Sequence, residues 1–169
     1  MPSPRKPFRL NVGFLIHEEI GYSREFSWDV DEVGVGEDVE IRGLRGVAQI
    51  GRTPQGLLVQ AEFSGETPLE CVRCLKRYWQ PLSWSFTELY AFDRRSVTES
   101  GLLVPEDANI DIEPLVREYA LLEVPISPLH SRACAGLCPV CGQDLNVRDC
   151  GHRSSLDRSS PFAKLKGST

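Results

Sequence analysis

The sequence of 169 residues lacks the hydrophobic segments of a membrane or secreted protein. No apolar run approaches the roughly 18–20 residues that a membrane-spanning helix needs. The apolar stretch near the N-terminus is interrupted at His17-Glu18-Glu19, before it reaches the length of a signal peptide. We therefore expect a cytoplasmic protein with no membrane partner. In that compartment the six cysteines are expected to be metal ligands or redox thiols rather than disulfides.

The sequence also lacks the common catalytic motifs. It has no HExxH zinc-protease motif, no GxSxG nucleophile elbow and no Gly-rich loop that would cradle phosphates. The HxE and PCxxC pair of the zinc deaminases is absent as well. We therefore expect no enzyme and no small-molecule substrate.

Charge is unevenly distributed along the chain. The net charge of −5 divides into +3 for residues 1–9, −11 for residues 10–128 and +3 for residues 129–169. An acidic body with basic ends hints at contact with a polyanion through the ends. Solvated tails are the alternative interpretation.

Alternating apolar and polar residues predict β-strands in the first 92 residues, because a strand with one buried face has a period of two. The tetrapeptide Thr53-Pro54-Gln55-Gly56 predicts a hairpin turn between two of these runs. The alternating runs are residues 26–30, 39–42, 57–64 and 82–87.

The hydrophobic period then changes to that of a helix near residues 112–122, followed by Pro125 and Pro128. Asp111 is the predicted N-cap, and Glu113 and Arg117 are spaced to pair on the exposed face. The predicted fold is α+β. A mainly antiparallel β body with this helix occupies residues 1–128, and a Cys-rich, zinc-stabilised segment packed on it occupies residues 129–169.

Eight cysteine and histidine side chains are candidate metal ligands. Zinc takes four nitrogen or sulfur donors in a tetrahedron, and two cysteines separated by two residues can hold one ion from a tight turn. The sequence Cys138-Pro-Val-Cys141-Gly142 has this pattern, in a stretch with too few large apolar side chains to form its own core. The candidates are Cys71, Cys74, His130, Cys134, Cys138, Cys141, Cys150 and His152.

This number of donors predicts at least one Zn²⁺ and is sufficient for two, but the sequence leaves their partition open. One division gives Cys134, Cys138, Cys141 and Cys150 to a single site. A second pairs Cys71 and Cys74 with Cys138 and Cys141. A third joins Cys71, Cys74, His130 and Cys134 in one site, and Cys138, Cys141, Cys150 and His152 in another.

Other interpretations of these residues remain open. Cys71 and Cys74 have the spacing of a redox pair, and buried cysteines also occur as small apolar residues at strand ends. His130 and His152 are alternatively solvated loop histidines. Four cysteines also suit an iron–sulfur cluster, although the Cys-Pro-x-Cys-Gly pattern favours zinc. Because protein donors are plentiful, we expect a closed structural site rather than a catalytic one.

Five short motifs follow one another along the chain. They are CVRCL at residues 71–75, IDIEPLVRE at 110–118, LLEVP at 121–125, CAGLCPVCG at 134–142 and SPFAKL at 160–165. Taken in order, these motifs resemble the bacterial YceD-like family, whose members are named for large-subunit ribosomal RNA accumulation. The resemblance covers roughly residues 40–166. His130 and His152 stand where many relatives have cysteine, and both substitutions keep a donor for zinc.

The resemblance implies a non-enzymatic role in 23S ribosomal RNA maturation and large-subunit assembly. The expected partner is a ribosomal RNA precursor or a large-subunit ribosomal protein. A zinc- or redox-responsive regulator and a metalloenzyme of unrecognised type are the alternatives. RNA recognition uses basic and aromatic side chains, so the candidate contacts are Arg73, Lys76, Arg77, Trp79, Arg148 and Arg153.

Overall fold

The computed structural model describes residues 7–36 and 38–152. These residues form two helices and two antiparallel sheets. In chain order the elements are β1 (Arg9–Asn11), α1 (Gly13–Ile16), β2 (Ser23–Val35), β3 (Val39–Arg52), β4 (Gly56–Glu70), β5 (Arg77–Ala91), β6 (Asn109–Asp111) and α2 (Glu113–Leu122).

The predicted α+β class with a mainly antiparallel body is confirmed. Strands β2, β3, β4 and β5 form a four-stranded sheet in sequence order, and β1 pairs with β6 in a small second sheet. The predicted turn joins β3 to β4, where the amide of Thr53 donates to the carbonyl of Gly56 at 2.9 Å. The sequence did not predict β1, α1 or β6, because elements of three and four residues are too short to show a period.

A β-bulge in β3 explains why the alternation of that strand is broken. Ile41 and Leu44 are both buried although three positions separate them, and the register against β4 shifts between Arg42 and Arg45. Gly43, with a φ of 60°, lies inside this shift. One extra residue in a strand reverses the direction of every side chain that follows, so both halves of β3 contribute to the same core.

Aromatic rings connect the sheet to the elements that cover its core face. Trp28 of β2 lies 5.3 Å from Phe63 of β4 between ring centroids, and Phe63 lies 5.8 Å from Trp84 of β5. Phe86 of β5 in turn stacks on Tyr119 of α2 at 5.0 Å. The sheet therefore buries one face beneath α2 and the small β1–β6 sheet, while the alternate residues of its strands remain exposed.

Helix α2 confirms the predicted helix near residues 112–122, but its first turn differs from the prediction. Ile112 is the N-cap, because Asp111 is held in β6 opposite Arg9. The Asp111 carboxylate still accepts the Glu113 amide at 3.0 Å. Neither α1 nor α2, in the ranges described, has the length and apolarity of a membrane span.

The predicted Glu113–Arg117 pair is replaced by contacts with the turn between β2 and β3. Glu113 accepts the amide of Gly36 at 3.0 Å. Arg117 donates through Nε and Nη2 to both oxygens of Asp38 at 2.7 and 2.6 Å. A bidentate arginine–carboxylate pair has better geometry than two long side chains on one helix face, and it lowers the pKa of Asp38.

The chain divides into two compact units by its contacts. The first, here the β unit, comprises Met1–Pro68 and Trp79–Pro125, and the second, here the Cys unit, comprises Leu69–Tyr78 and Ile126–Thr169. This division differs from the sequence-based boundary after residue 128. The reason is that the end of the β4–β5 hairpin carries Cys71 and Cys74, which group with the C-terminal cysteines.

We expect Tyr90 to make folding stability fall at alkaline pH. Tyr90 is buried and donates to the carbonyl of Asp111 at 3.0 Å. Burial, followed by repulsion from Asp111 and Glu88, raises its pKa to about 12. Its contribution to stability is full below the unfolded-state pKa of about 10 and is lost as the pH rises towards 12.

The slope of unfolding free energy against pH reports how many protons are released on unfolding. In this window the change Tyr90→Phe should reduce that number by about one. It should also cost about 1 kcal/mol at neutral pH through the lost hydrogen bond. Denaturant unfolding from pH 8 to 12 measures both effects, with Tyr22→Phe, at an exposed tyrosine, as the control. Identical slopes for the two variants would contradict the assignment.

Candidate metal centre

The first cysteine pair lies in the connection between β4 and β5. The amide of Cys71 donates to the carbonyl of Lys76, and the amide of Leu75 donates to the carbonyl of Cys71, both at 2.9 Å. These bonds close a tight turn in which Cys71 and Cys74 lie on the same side. The turn is followed by a strand rather than a helix, unlike the helix N-terminus that activates many redox cysteines.

The second pair, Cys138 and Cys141, lies in a turn with the same hydrogen-bond pattern. The amide of Cys138 donates to the carbonyl of Gln143, and the amide of Gly142 donates to the carbonyl of Cys138, both at 2.8 Å. The two turns are therefore equivalent residue by residue. Together they form a pair of knuckles, each of which presents two sulfurs from one loop.

The residue after the second cysteine has a left-handed backbone in both knuckles. Its φ is 72° at Gly142 and 60° at Leu75. Glycine adopts this conformation readily, whereas a residue with a Cβ is strained there by roughly 1–2 kcal/mol. The first knuckle was harder to identify from the sequence because it lacks this glycine.

The structure brings all eight predicted ligands together in two groups of four. Cys71, Cys74, His130 and Cys134 form group 1, and Cys138, Cys141, Cys150 and His152 form group 2. Within each group the donor atoms all lie within 4.8 Å of one another. This arrangement corresponds to the third of the partitions that the sequence left open, and either group could hold a metal ion.

The spacing of the donors fits a tetrahedral ion. Zinc–sulfur and zinc–nitrogen bonds of about 2.3 and 2.0 Å place neighbouring tetrahedral donors about 3.5–3.8 Å apart. The sulfurs of Cys71 and Cys134 are 3.8 Å apart, and Cys74 Sγ lies 3.3 Å from His130 Nδ1. In group 2, Cys138 Sγ lies 3.8 Å from His152 Nδ1. All six cysteines are free thiols.

Cysteines also take the place of a hydrophobic core in the Cys unit. In its described part, the buried side chains are those of Cys71, Cys74, Cys134 and Cys138. The first three form a small cluster with the partly buried side chains of Tyr78, Leu129 and Leu137. Such a segment has little apolar area with which to offset its conformational entropy, so a bound ion would supply much of its stability.

The thiols of group 1 differ strongly in acidity. Burial opposes ionisation of Cys71, but hydrogen bonds from the side chain and backbone of His130 outweigh it and lower the pKa of this thiol to about 5. For Cys74, the amide of Lys76 favours the thiolate. Burial, hydrogen bonds with Cys134 and Cys71, and repulsion from Cys134 exceed that effect and raise the pKa to about 11.

Group 2 shows the same division. The amide of Cys141 is the main cause that lowers the pKa of Cys138 to about 6, against the effect of burial. The amide of His152 favours the Cys150 thiolate, but hydrogen bonds with Cys138 and Cys141, together with burial, raise the pKa of Cys150. Each group therefore contains one thiol that ionises easily and one that a cation would have to deprotonate.

The residues predicted to contact RNA or another partner do not all have free side chains. Arg73 donates through Nη1 to the carbonyl of Cys134 at 2.9 Å, within the Cys unit. One face of the Trp79 ring, in the β unit, contacts Arg42, whose guanidinium carbon lies 4.1 Å from the ring centroid, and Trp79 remains 36% exposed. Lys76, Arg77 and Arg148 are exposed, and Arg153 lies outside the described residues.

Sequence reasoning missed Asn146, which donates through Nδ2 to Cys134 Sγ at 3.5 Å. Twelve positions separate the two residues, and a polar residue in a polar loop gives no signal of such a contact. Tyr78 also packs beside group 1.

The fold and site define a protein in which a β-sheet unit is accompanied by a unit built on two Cys3His groups. Residues 59–167 match the family described as large ribosomal RNA subunit accumulation protein YceD. The chain belongs to this family. No solved structure matches it.

Curated relatives are similar over shorter stretches. An uncharacterised protein of Mycobacterium tuberculosis is 34% identical over 105 residues, which are 59% of this chain and 49% of the relative. Bacillus subtilis YlbN is 35% identical over 87 residues, 50% of this chain and 51% of the relative. The chain thus spans about half the length of these relatives.

An Arabidopsis thaliana relative has a functional name. It is called large ribosomal RNA subunit accumulation protein YCED homolog 1, chloroplastic, and is 36% identical over 64 residues. These are 37% of this chain and 20% of the relative.

Single cysteine substitutions should remove one metal ion each. At saturating zinc we expect two ions per chain in the unaltered protein and one in either Cys71→Ser or Cys138→Ser, because the two residues belong to different groups. Elemental analysis after gel filtration measures the content, and Ser131→Ala, which alters no donor, is the control. Loss of both ions from Cys71→Ser at every zinc concentration would contradict two separate sites.

The knuckle backbone predicts opposite effects for two glycine substitutions in the same turn. Leu75→Gly should raise the unfolding free energy of the zinc-loaded protein by up to about 1 kcal/mol, because it relieves the left-handed strain. Val72→Gly is the matched control, since it also replaces an exposed apolar residue but relieves no such strain. It should lower stability by about 0.5–1 kcal/mol. Equal losses in thermal or denaturant unfolding would contradict the strain at Leu75.

Proposed function

We propose that this protein is a non-enzymatic, zinc-stabilised factor in large-subunit ribosome assembly. It supports 23S ribosomal RNA maturation and accumulation by binding precursor RNA through its Cys unit. Family membership and the name of the Arabidopsis relative support the ribosomal role. The direct contact with RNA rests on the distribution of charge between the two units.

Formal charge is segregated between the units. The β unit has ten Lys and Arg residues against twenty Asp and Glu residues, a net charge of −10. The Cys unit has nine against four, a net charge of +5. Arg73, Lys76 and Arg77 belong to the same unit as the C-terminal basic residues. This coincidence of charge and structure is the observation that carries the proposal.

An excess of positive charge in one compact unit is what binding to the phosphate backbone requires. Two Cys3His groups loaded with Zn²⁺ would each contribute about −1, since three thiolates face one divalent cation. With both ions bound the Cys unit would keep a charge of about +3. The acidic β unit would repel phosphates, which restricts RNA to the Cys unit and leaves a basic ribosomal protein as the competing partner for the β unit.

Zinc is the metal that this donor set suits best. Three thiolates and an imidazole in a tetrahedral arrangement are typical of structural zinc sites. Four protein donors in each group leave no open position for water or substrate, which favours a structural over a catalytic ion. The exposure of Cys141 is the observation that favours the second candidate, a zinc- or redox-responsive regulator.

The proposed setting is the cytoplasm, where the sequence led us to expect this chain. The chloroplast in the name of the Arabidopsis relative is a property of that protein.

Charge reversal in the Cys unit tests the RNA contact. We expect the double variant Lys76→Glu and Arg77→Glu to weaken binding to a 23S precursor fragment. We also expect it to reduce the slope of log affinity against log salt by about 1–2, because each lost phosphate contact removes about 0.7–0.9 from that slope. Filter binding or fluorescence anisotropy at several salt concentrations measures both quantities.

The double variant Arg94→Glu and Arg95→Glu is the matched control. It makes the same change in net charge at two exposed neighbouring residues of the β unit. Equal losses in the two double variants would show that total charge, and not the Cys unit, governs binding. If the chain binds no RNA but pulls down a large-subunit ribosomal protein, the RNA contact is wrong and the partner is that protein.

A further inference from the structure

The two donor groups differ sharply in exposure to solvent. In group 1 the three cysteines are between 0% and 8% exposed. In group 2 Cys138 is buried, but Cys141 is exposed, and Cys150 and His152 are half-buried. A chelator or competing thiol reaches the donors of group 2 more easily, so an ion there would exchange first.

The segment between the two groups is fixed against the first knuckle. Only three residues separate Cys134 of group 1 from Cys138 of group 2. Within this segment the amide of Leu137 donates to the carbonyl of Arg73 at 2.9 Å. A Cβ on Gly136 would lie 3.2 Å from the same carbonyl oxygen. The position of Cys138 therefore depends on the first knuckle, which carries Cys71 and Cys74 of group 1.

Asn146 connects the loop that precedes Cys150 of group 2 to Cys134 of group 1. It lies in the eight-residue loop between Cys141 and Cys150. Its Oδ1 accepts the amide of Ala135 at 2.7 Å. That contact determines the orientation of the side-chain amide, because a backbone N–H can only donate, and it leaves Nδ2 to face Cys134 Sγ at 3.5 Å.

Two further contacts hold this loop in place. Asn146 donates through both its backbone amide and Nδ2 to Oδ1 of Asp144, at 2.8 and 2.7 Å. The amide of Leu145 donates to the carbonyl of Gly136 at 2.9 Å. The loop that carries Cys150 is thus hydrogen-bonded to the segment that carries Cys134.

We propose that Asn146 couples the two metal sites, so that an ion in group 1 strengthens binding at group 2, the exchangeable site. This inference rests on the proposed zinc binding. An ion in group 1 would fix the position of the Cys134 sulfur, 3.5 Å from Asn146 Nδ2. Asn146 then anchors the loop, which reduces the entropy cost of bringing Cys150 and His152 to the second ion.

The decisive variant is Asn146→Ala, because Asn146 is not a predicted ligand of group 2. We expect this variant to bind two zinc ions at saturation, with the affinity of group 2 lowered about 5- to 150-fold, the usual range of coupling between two binding sites. Competition with a chromophoric chelator, with group 1 kept full, gives this affinity. Gln143→Ala is the control from the same loop, since the Gln143 side chain bonds a backbone carbonyl and no sulfur.

Substitutions that empty one group measure the coupling itself. Coupling between binding sites is reciprocal. Cys71→Ser should therefore weaken zinc binding at group 2 by the same factor by which Cys150→Ser weakens it at group 1. When Asn146→Ala is also present, each of these fold-changes in affinity should approach one, which is the value for uncoupled sites. If Cys71→Ser fails to fold, the comparison of Asn146→Ala with Gln143→Ala decides alone.

The possible outcomes separate this inference from the proposed function. Two zinc ions with an unchanged group 2 affinity in Asn146→Ala would overturn the coupling and leave the zinc sites in place. A change confined to the affinity of group 1 would also overturn it, because Asn146 would then only support its direct contact, Cys134. A chain that binds no zinc at any concentration would overturn the proposed zinc role, and the coupling with it.

Discussion

The Cys unit depends on the convergence of sulfur and imidazole donors. Its described part buries cysteine side chains where a larger domain would bury leucine and phenylalanine. Four thiolates or imidazoles brought together without a cation would repel one another or remain protonated, as the divided acidities of Cys71 and Cys74 illustrate. A divalent cation bound there would turn this repulsion into attraction and help to order the unit.

The β unit is stabilised by a different interaction, the burial of apolar side chains. Its sheet buries one face beneath α2 and the β1–β6 pair, and its aromatic rings form a continuous path from Trp28 to Tyr119. Hydrophobic burial is the main source of its stability. The hairpin of β4 and β5 begins in this unit and ends in the first knuckle. A single hairpin therefore supplies residues both to a hydrophobic core and to a turn that could hold a metal ion.

Formal charge is divided unevenly between the two units. The acidic residues belong mainly to the unit with the hydrophobic core, and the basic excess belongs to the unit built on cysteine. Trp79, which the sequence suggested as a stacking residue, has one ring face against Arg42, which also pairs with Glu66. Lys76 and Arg77 are exposed, so they are the stronger candidates for contact with RNA.

The sequence by itself determined the approximate positions of β2 to β5, helix α2 and the identity of the eight candidate donors. These features depend on local spacing, such as the alternation in β4 and the Cys-x2-Cys pairs. The tertiary structure decided how the donors divide, because Cys71 and Cys134 are sixty-three positions apart and only the folded hairpin brings them together. It likewise placed Arg117 on Asp38 and Asn146 on Cys134. Contacts between distant residues leave no periodic trace in a single sequence.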